Sequence, residues 1–406
     1  IATAVNLIGE DKSTTFIMGT GSHRVVSINN VSSPMRVSGF TINAVNCTTS
    51  RRGLQAASSS NVTIEDNNII YYGDIGVWTL SNNIIRNNTI HCADASGSTF
   101  GNIYVSGSNN TIENNTLTGF TSYGVYCYGG STPTNQYNVI KKNSITANMA
   151  TGSGYGVYLY NSGGNTIGGA SAGDGNNVSL RPHTAELPCY AYGVKILTYP
   201  DGYVTSNTIQ YNTFNGGNRI IEVEGFVGGT TTFSDNTIGN TAPPSHYGIL
   251  VYGGNAVISN NIFHNVPGPI QFGRSGGIAN MAITISGNSF QGGGSNVAAI
   301  FASYANSITA NRNKFDLATG AAAIVNSSSQ NINASYNWWG HATGPYNSSY
   351  NPGGLGHSVN SSVTYVPFYT TAEMTTVIPT LGEWGLIAFA GLLLLVGGTI
   401  LWKRLV

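Results

Sequence analysis

The 406 residues include 53 glycines and 23 tyrosines, only 8% are charged, and the formal net charge is zero. That balance excludes a nucleic-acid binder, which needs a basic surface, and an intrinsically disordered chain, which is rich in charge and poor in aromatics. What remains is a protein with a large core assembled from many short Val/Ile runs, the profile of a repetitive all-β fold.

The chain opens at Ile1 with neither methionine nor signal peptide and enters a strand-like run almost at once. An upstream segment is therefore expected; without one, the first strands present an open sheet edge. A repeat follows, apolar-x-x-Asn-x-apolar, as in "ITISGNSFQ" with Ile285, Asn288 and Phe290. It is centred on Asn67, Asn88, Asn115, Asn143, Asn212, Asn236, Asn261, Asn288, Asn313 and Asn337, and from Asn212 onward the steps are 24, 25, 27, 25 and 24 residues. A period of that length is one supersecondary unit of a solenoid. The apolar residues before each asparagine alternate and then change phase across it, so the chain turns a corner there. Asparagine tolerates the left-handed backbone of a tight corner, and stacked amides bond to one another along the axis. These asparagines therefore read as a structural ladder at one corner.

A second apolar run recurs as "YGVYCYGG" from 123, "YGVYLYNSGG" from 155, "YGVKIL" from 192 and "YGILVYGG" from 247. Strand, corner, strand and Gly-rich loop in each repeat describe a parallel β-helix, and about twelve coils at a spacing near 4.8 Å give a rod roughly 55 to 60 Å long. With Val125, Val157 and Ile249 inward, alternation sends Tyr126, Tyr128, Tyr158, Tyr160 and Tyr252 outward as an aromatic stripe. Such a stripe holds a sugar or a protein partner, or simply stacks coil on coil.

Catalytic candidates are few. Glu222 and Glu224 in "IIEVEGF" share one strand face, with Asp201 and Asp235 in flanking repeats. Two neighbouring carboxylates are the acid and base of glycoside hydrolysis; the alternative is a solvated face neutralised by Lys195 or Arg219. The paired-aspartate, His-Gly and Arg-x-Lys signatures of pectin-hydrolysing β-helices are missing. Cys47, Cys92, Cys127 and Cys189 have no metal-like spacing; in an exported chain they form disulfides or are buried apolar groups. The seven histidines are scattered, so neither metal nor cofactor is expected. Triplets such as Asn61-Val62-Thr63 arise automatically from repeat asparagines followed by threonine.

In "SYNWWGHATGPYNSSYNPGG", residues 335 to 354, Trp339 takes the inward position of Phe290 and Phe315. A buried indole there plugs the core where no further coil covers it; a sugar platform is the alternative. After "VIPTLGEWG" the stretch from Trp384 to Trp402 carries no charge and is long enough for a bilayer, and Lys403 and Arg404 favour a cytoplasmic C-terminus. The expected organisation is a β-helix over 1–368, a linker over 369–381 and a transmembrane or sorting helix over 382–406.

The repeats, together with "NLIGEDKSTTFI", "GNTIGGASAGDGNN" and the "NWWG" run, resemble secreted right-handed parallel β-helix repeat proteins of the periplasmic copper-binding and carbohydrate-binding type. The resemblance covers about nine tenths of the chain and implies a right-handed coil; that architecture serves lyases, hydrolases, adhesins and inert surface proteins alike. Ile378, Pro379, Thr380, Leu381, Glu383, Trp384 and Gly385 resemble the bacterial IPTL-type C-terminal sorting signal, departing from it at Gly382, where serine is usual. That resemblance implies export in a Gram-negative bacterium and display at the cell surface or on the outer side of a membrane. The first expectation for function is a structural, adhesive or glycan-binding surface protein; a polysaccharide-degrading enzyme and a subunit of a membrane-associated or filamentous assembly are the alternatives. Expected partners are the membrane, through the C-terminal helix, a polysaccharide, and a second copy or other protein.

Overall fold

The computed structural model describes residues 1–21, 24–47, 51–93, 101–147, 152–181, 189–199, 206–225, 229–239, 247–273, 281–293, 298–303 and 307–374. Within them the repeat winds into three long sheets of 14, 12 and 13 strands, more coils than the twelve expected. The first sheet runs from Leu7–Ile8 to Val363–Thr364, the second from Phe16–Met18 to Lys314–Leu317 and the third from Val26–Asn29 to Ser358–Val359. Each strand pairs in parallel with its counterpart one coil later, so every coil adds one strand to each sheet. A single 3-10 turn, Ala172–Asp174, is the only helical element among the described residues.

One column of inward side chains defines the core. On the second sheet Ile42, Ile69, Ile90, Leu117, Ile145, Val178, Phe214, Ile238, Phe263, Phe290 and Phe315 stand in register, all buried. Trp339 ends the column. Its ring lies over Phe315 with centroids 5.0 Å apart and planes 7° from parallel, and the side chain is fully buried.

At the corner between the first and second sheets the ten asparagines stand in a single buried column. Each backbone N–H and side-chain amide donates to the Oδ1 of the next, as from Asn115 to Asn143 at 2.9 and 3.0 Å. Asn176 fills the gap between Asn143 and Asn212. The left-handed backbone, however, falls one residue earlier, at Asp66, Asn87, Asn114, Lys142, Tyr211, Asp235, Asn260, Gly287, Arg312 and Tyr336. The ladder position therefore selects asparagine for its side-chain bonds, while the strained position accepts almost any residue. A second ladder, Asn83, Asn110, Asn138, Asn165 and Asn207, lines the corner where the third sheet gives way to the first. The corner leading into the third sheet uses glycine instead: a Cβ on Gly124 would sit 2.6 Å from the Gly156 carbonyl oxygen, and one on Gly156 2.7 Å from that of Gly193.

Beyond Trp339 the loop of residues 340–357 folds back over the last coils. His357 ties it down, its Nε2 accepting the Leu317 N–H at 3.1 Å. Burial holds the His357 pKa below its ordinary 6.5. The folded state thus favours the neutral ring, so its contribution is fully present above pH 6.5 and is lost as pH falls through the lowered folded value. Thermal melts from pH 7.5 to 5 are expected to drop more steeply for the native chain than for His357→Gln; parallel profiles would contradict this.

Residues 375–406, with the whole sorting motif and the expected transmembrane helix, lie outside the described residues. Among those described, no helix is long and apolar enough to cross a membrane. At the other end Ile8, Phe16 and Met18 are 62, 57 and 52% exposed.

Candidate functional site

The outer face of the third sheet carries the most distinctive side chains of the molecule. In the strands Gly101–Val105, Tyr123–Tyr128, Gly152–Tyr160, Cys189–Leu197 and Arg219–Glu224, alternation buries Ile103, Val125, Val157, Val194 and Ile221. Their neighbours in sequence face out, and register aligns Trp78, Tyr104, Tyr126, Tyr158, Lys195 and Glu222 in one file along the axis. Tyr128 and Tyr160 pair beside it. On its other side Tyr123, Tyr155, Tyr192 and Arg219 form a third file.

That third file was not legible from alternation, which would turn Tyr123 inward with Val125. Gly124 takes the crowded corner, and Tyr123 stands beside Tyr126 with ring centroids 4.6 Å apart. The two files then interleave: Tyr123 to Tyr158 is 5.2 Å, Tyr158 to Tyr155 4.9 Å and Tyr155 to Tyr192 4.8 Å, with planes within 26° of parallel. Rings stacked at the coil spacing stand on edge over the sheet rather than lying flat on it. Their faces cover one another, and Tyr158 is only 9% exposed. Burial pushes the Tyr104 hydroxyl up to about 12 and raises those of Tyr126, Tyr158 and Tyr192 as well. The patch therefore presents ring edges and protonated phenols, each both donor and acceptor. Tyr252 lies three coils beyond Tyr160, separated from the patch by the positions of Leu197 and Glu224.

Paired charges close both ends. At one, Arg52 binds Asp74 at 3.0 Å and lies over the Trp78 ring, 4.4 Å from its centroid. At the other, Lys195 bridges Glu222 and Glu224, and Arg219 binds Glu222 at 2.9 Å. Glu222 and Glu224 do share a face, and Lys195 and Arg219 neutralise it as the alternative had it, but Glu222 is not solvated: its side chain is 2% exposed and engaged by two cations. A carboxylate so held offers no free acid or base to a substrate. Asp235 sits at the left-handed corner between the first and second sheets, so it is not gathered with Glu222; Asp201 lies outside the described residues.

Cys47, Cys92 and Cys127 are buried and not joined in a disulfide, which corrects a bridge among them. No group of three or more His, Cys, Asp or Glu among the described residues could hold a metal ion.

Residues 24–181 match the family model described as a right handed beta helix region. The crystal structure of the Dettilon tailspike protein (gp208) is similar over 80% of this chain and 62% of its own, with a TM-score of 0.50 and 17% identity. The chain folds as a right-handed parallel β-helix. This β-helix spans about three fifths of the tailspike's length, and at that identity the likeness concerns the fold alone. No curated protein matches the β-helix chain.

Proposed function

We propose that this β-helix is an exported bacterial surface protein, anchored or sorted through its C-terminal segment, that binds a polysaccharide along the tyrosine face and does not cleave it. The patch of eight tyrosines on one face carries the reading. Phenols repeated at the coil spacing of about 4.8 Å suit a polymer of hydroxylated rings laid along the axis, because each coil meets the next sugar with the same donors and acceptors. Between the paired charges the surface is neutral, which favours an uncharged polymer over a uronate. Export and anchoring rest on the IPTL-like motif and the apolar stretch from Trp384 to Trp402.

The test is co-sedimentation of the protein with insoluble neutral polysaccharides, followed by analysis of the supernatant. Binding is expected, weakened about tenfold or more in Tyr128→Ala/Tyr160→Ala, unchanged in Thr116→Ala on the second sheet, and without release of new reducing or unsaturated ends. Binding indifferent to the tyrosine pair would move the site elsewhere. Release of ends that stops in Glu222→Gln or Glu224→Gln would make the protein an enzyme. Capture of a second copy or another protein by the same tyrosines, with no polysaccharide bound, would favour the assembly reading.

A further inference from the structure

The closing loop does more than cover Trp339. Part of the loop of residues 340–357 and the end of the strand Lys314–Leu317 border a half-open pocket of about 490 Å³, within the range of small-ligand sites. Its wall is formed by Leu317, Thr319, Trp339, Tyr346, Leu355 and His357, with Ser358 and glycine backbone between them.

The loop is held in shape by its own side chains. Asn347 Oδ1 accepts the N–H groups of Ser349 and Tyr350, and Asn351 Nδ2 donates to the carbonyls of Thr343 and Pro345. The Leu355 N–H donates to Thr343 Oγ1 at 2.8 Å. A site braced in this way binds without a large ordering cost. At the rim Tyr346 and Leu355 are 45 and 71% exposed, an apolar pair that serves no core. Trp339 bounds the pocket as well, but its indole, stacked on Phe315, is fully buried in the core and does not offer its N–H to the pocket.

The lining also excludes ligand classes. Among the described residues it contains no carboxylate, lysine or arginine, and its one imidazole, His357, has its Nε2 occupied by the Leu317 N–H. The hydroxyl-bearing Thr319, Tyr346 and Ser358 and the apolar Leu317 and Leu355 line the same small volume. A neutral molecule with both a hydroxyl edge and a C–H face meets that description, and a pyranose ring has both. We infer that this pocket binds a single uncharged hexose or N-acetylhexosamine, separately from the tyrosine face, and that the sugar enters between Tyr346 and Leu355.

Ligand-observed NMR on the intact protein tests this with a panel of neutral hexoses, N-acetylhexosamines and their disaccharides, with uronic acids and a neutral peptide as comparators. At least one neutral sugar is expected to bind. Its affinity is expected to fall about tenfold in Leu355→Ala and in Tyr346→Ala, exposed positions where the fold tolerates truncation. Tyr128→Ala/Tyr160→Ala, which probes the other face, is expected to leave it unchanged. The inference is overturned if no neutral sugar binds, if uronates or the peptide bind in preference, or if the sugar signal ignores both rim variants.

Discussion

Replacing Asn143 with alanine is expected to destabilise the protein by about 3 to 5 kcal/mol, because several buried polar groups lose their partners at once. Its Nδ2 donates to the carbonyls of Ile112 and Lys141 and to Asn176 Oδ1, each at 2.9 Å. Its Oδ1 accepts both the backbone N–H and the amide of Asn115. The site is 1% exposed, so water cannot replace what alanine removes. The neighbouring Asn114 provides the contrast: its amide reaches Asn87 Oδ1 in an exposed position, and Asn114→Ala is expected to cost about 1 kcal/mol, mostly for a left-handed alanine. Urea melts of the two variants followed by circular dichroism compare them; equal losses would show that the ladder contributes no more than any corner residue.

Trp339→Ala is expected to cost about 3 to 5 kcal/mol, the range for emptying a large aromatic site in a packed core. The effect should be local. Each coil of a solenoid touches only its neighbours, so the missing indole uncovers Phe315 and the last turns before it reaches the middle of the rod. Hydrogen exchange is expected to quicken first in the strands from Lys314–Leu317 onward while the strands around Tyr126 keep their protection. Uniform loosening along the chain would mean that Trp339 is not the end plug. Trp339→Phe, which preserves the stack, should lose much less.

These two variants also mark where the sequence was informative. Ladder asparagines and inward Phe or Ile residues occupy the same environment in every coil, so one six-residue pattern revealed the period, the corner and the plug. Asn176 escaped because long loops place it 33 and 36 residues from its ladder neighbours. The second ladder carried a signal too, an asparagine two residues before an inward isoleucine, as at Asn110 and Ile112. That spacing differs from the one the repeat was anchored on. Physical reasons separate the remaining differences. Strict alternation turns Tyr123, Tyr155 and Tyr192 inward, whereas they stand on the aromatic face next to the glycine corner. The burial of Glu222 depends on Lys195, 27 residues away, and on how closely the coils bring them together. The pocket beside Leu355 is made by a loop whose internal bonds follow no period at all.

The glycan face is the central claim, and hydroxyl-radical footprinting of the intact protein with and without a bound neutral polysaccharide addresses it most directly. Tyr104, Tyr126, Tyr128 and Tyr160 are expected to become protected together while Tyr336 and Tyr350, away from the patch, stay as reactive as before. Protection of those distant tyrosines with none at Tyr126 or Tyr128, or no protection anywhere despite co-sedimentation, would contradict it.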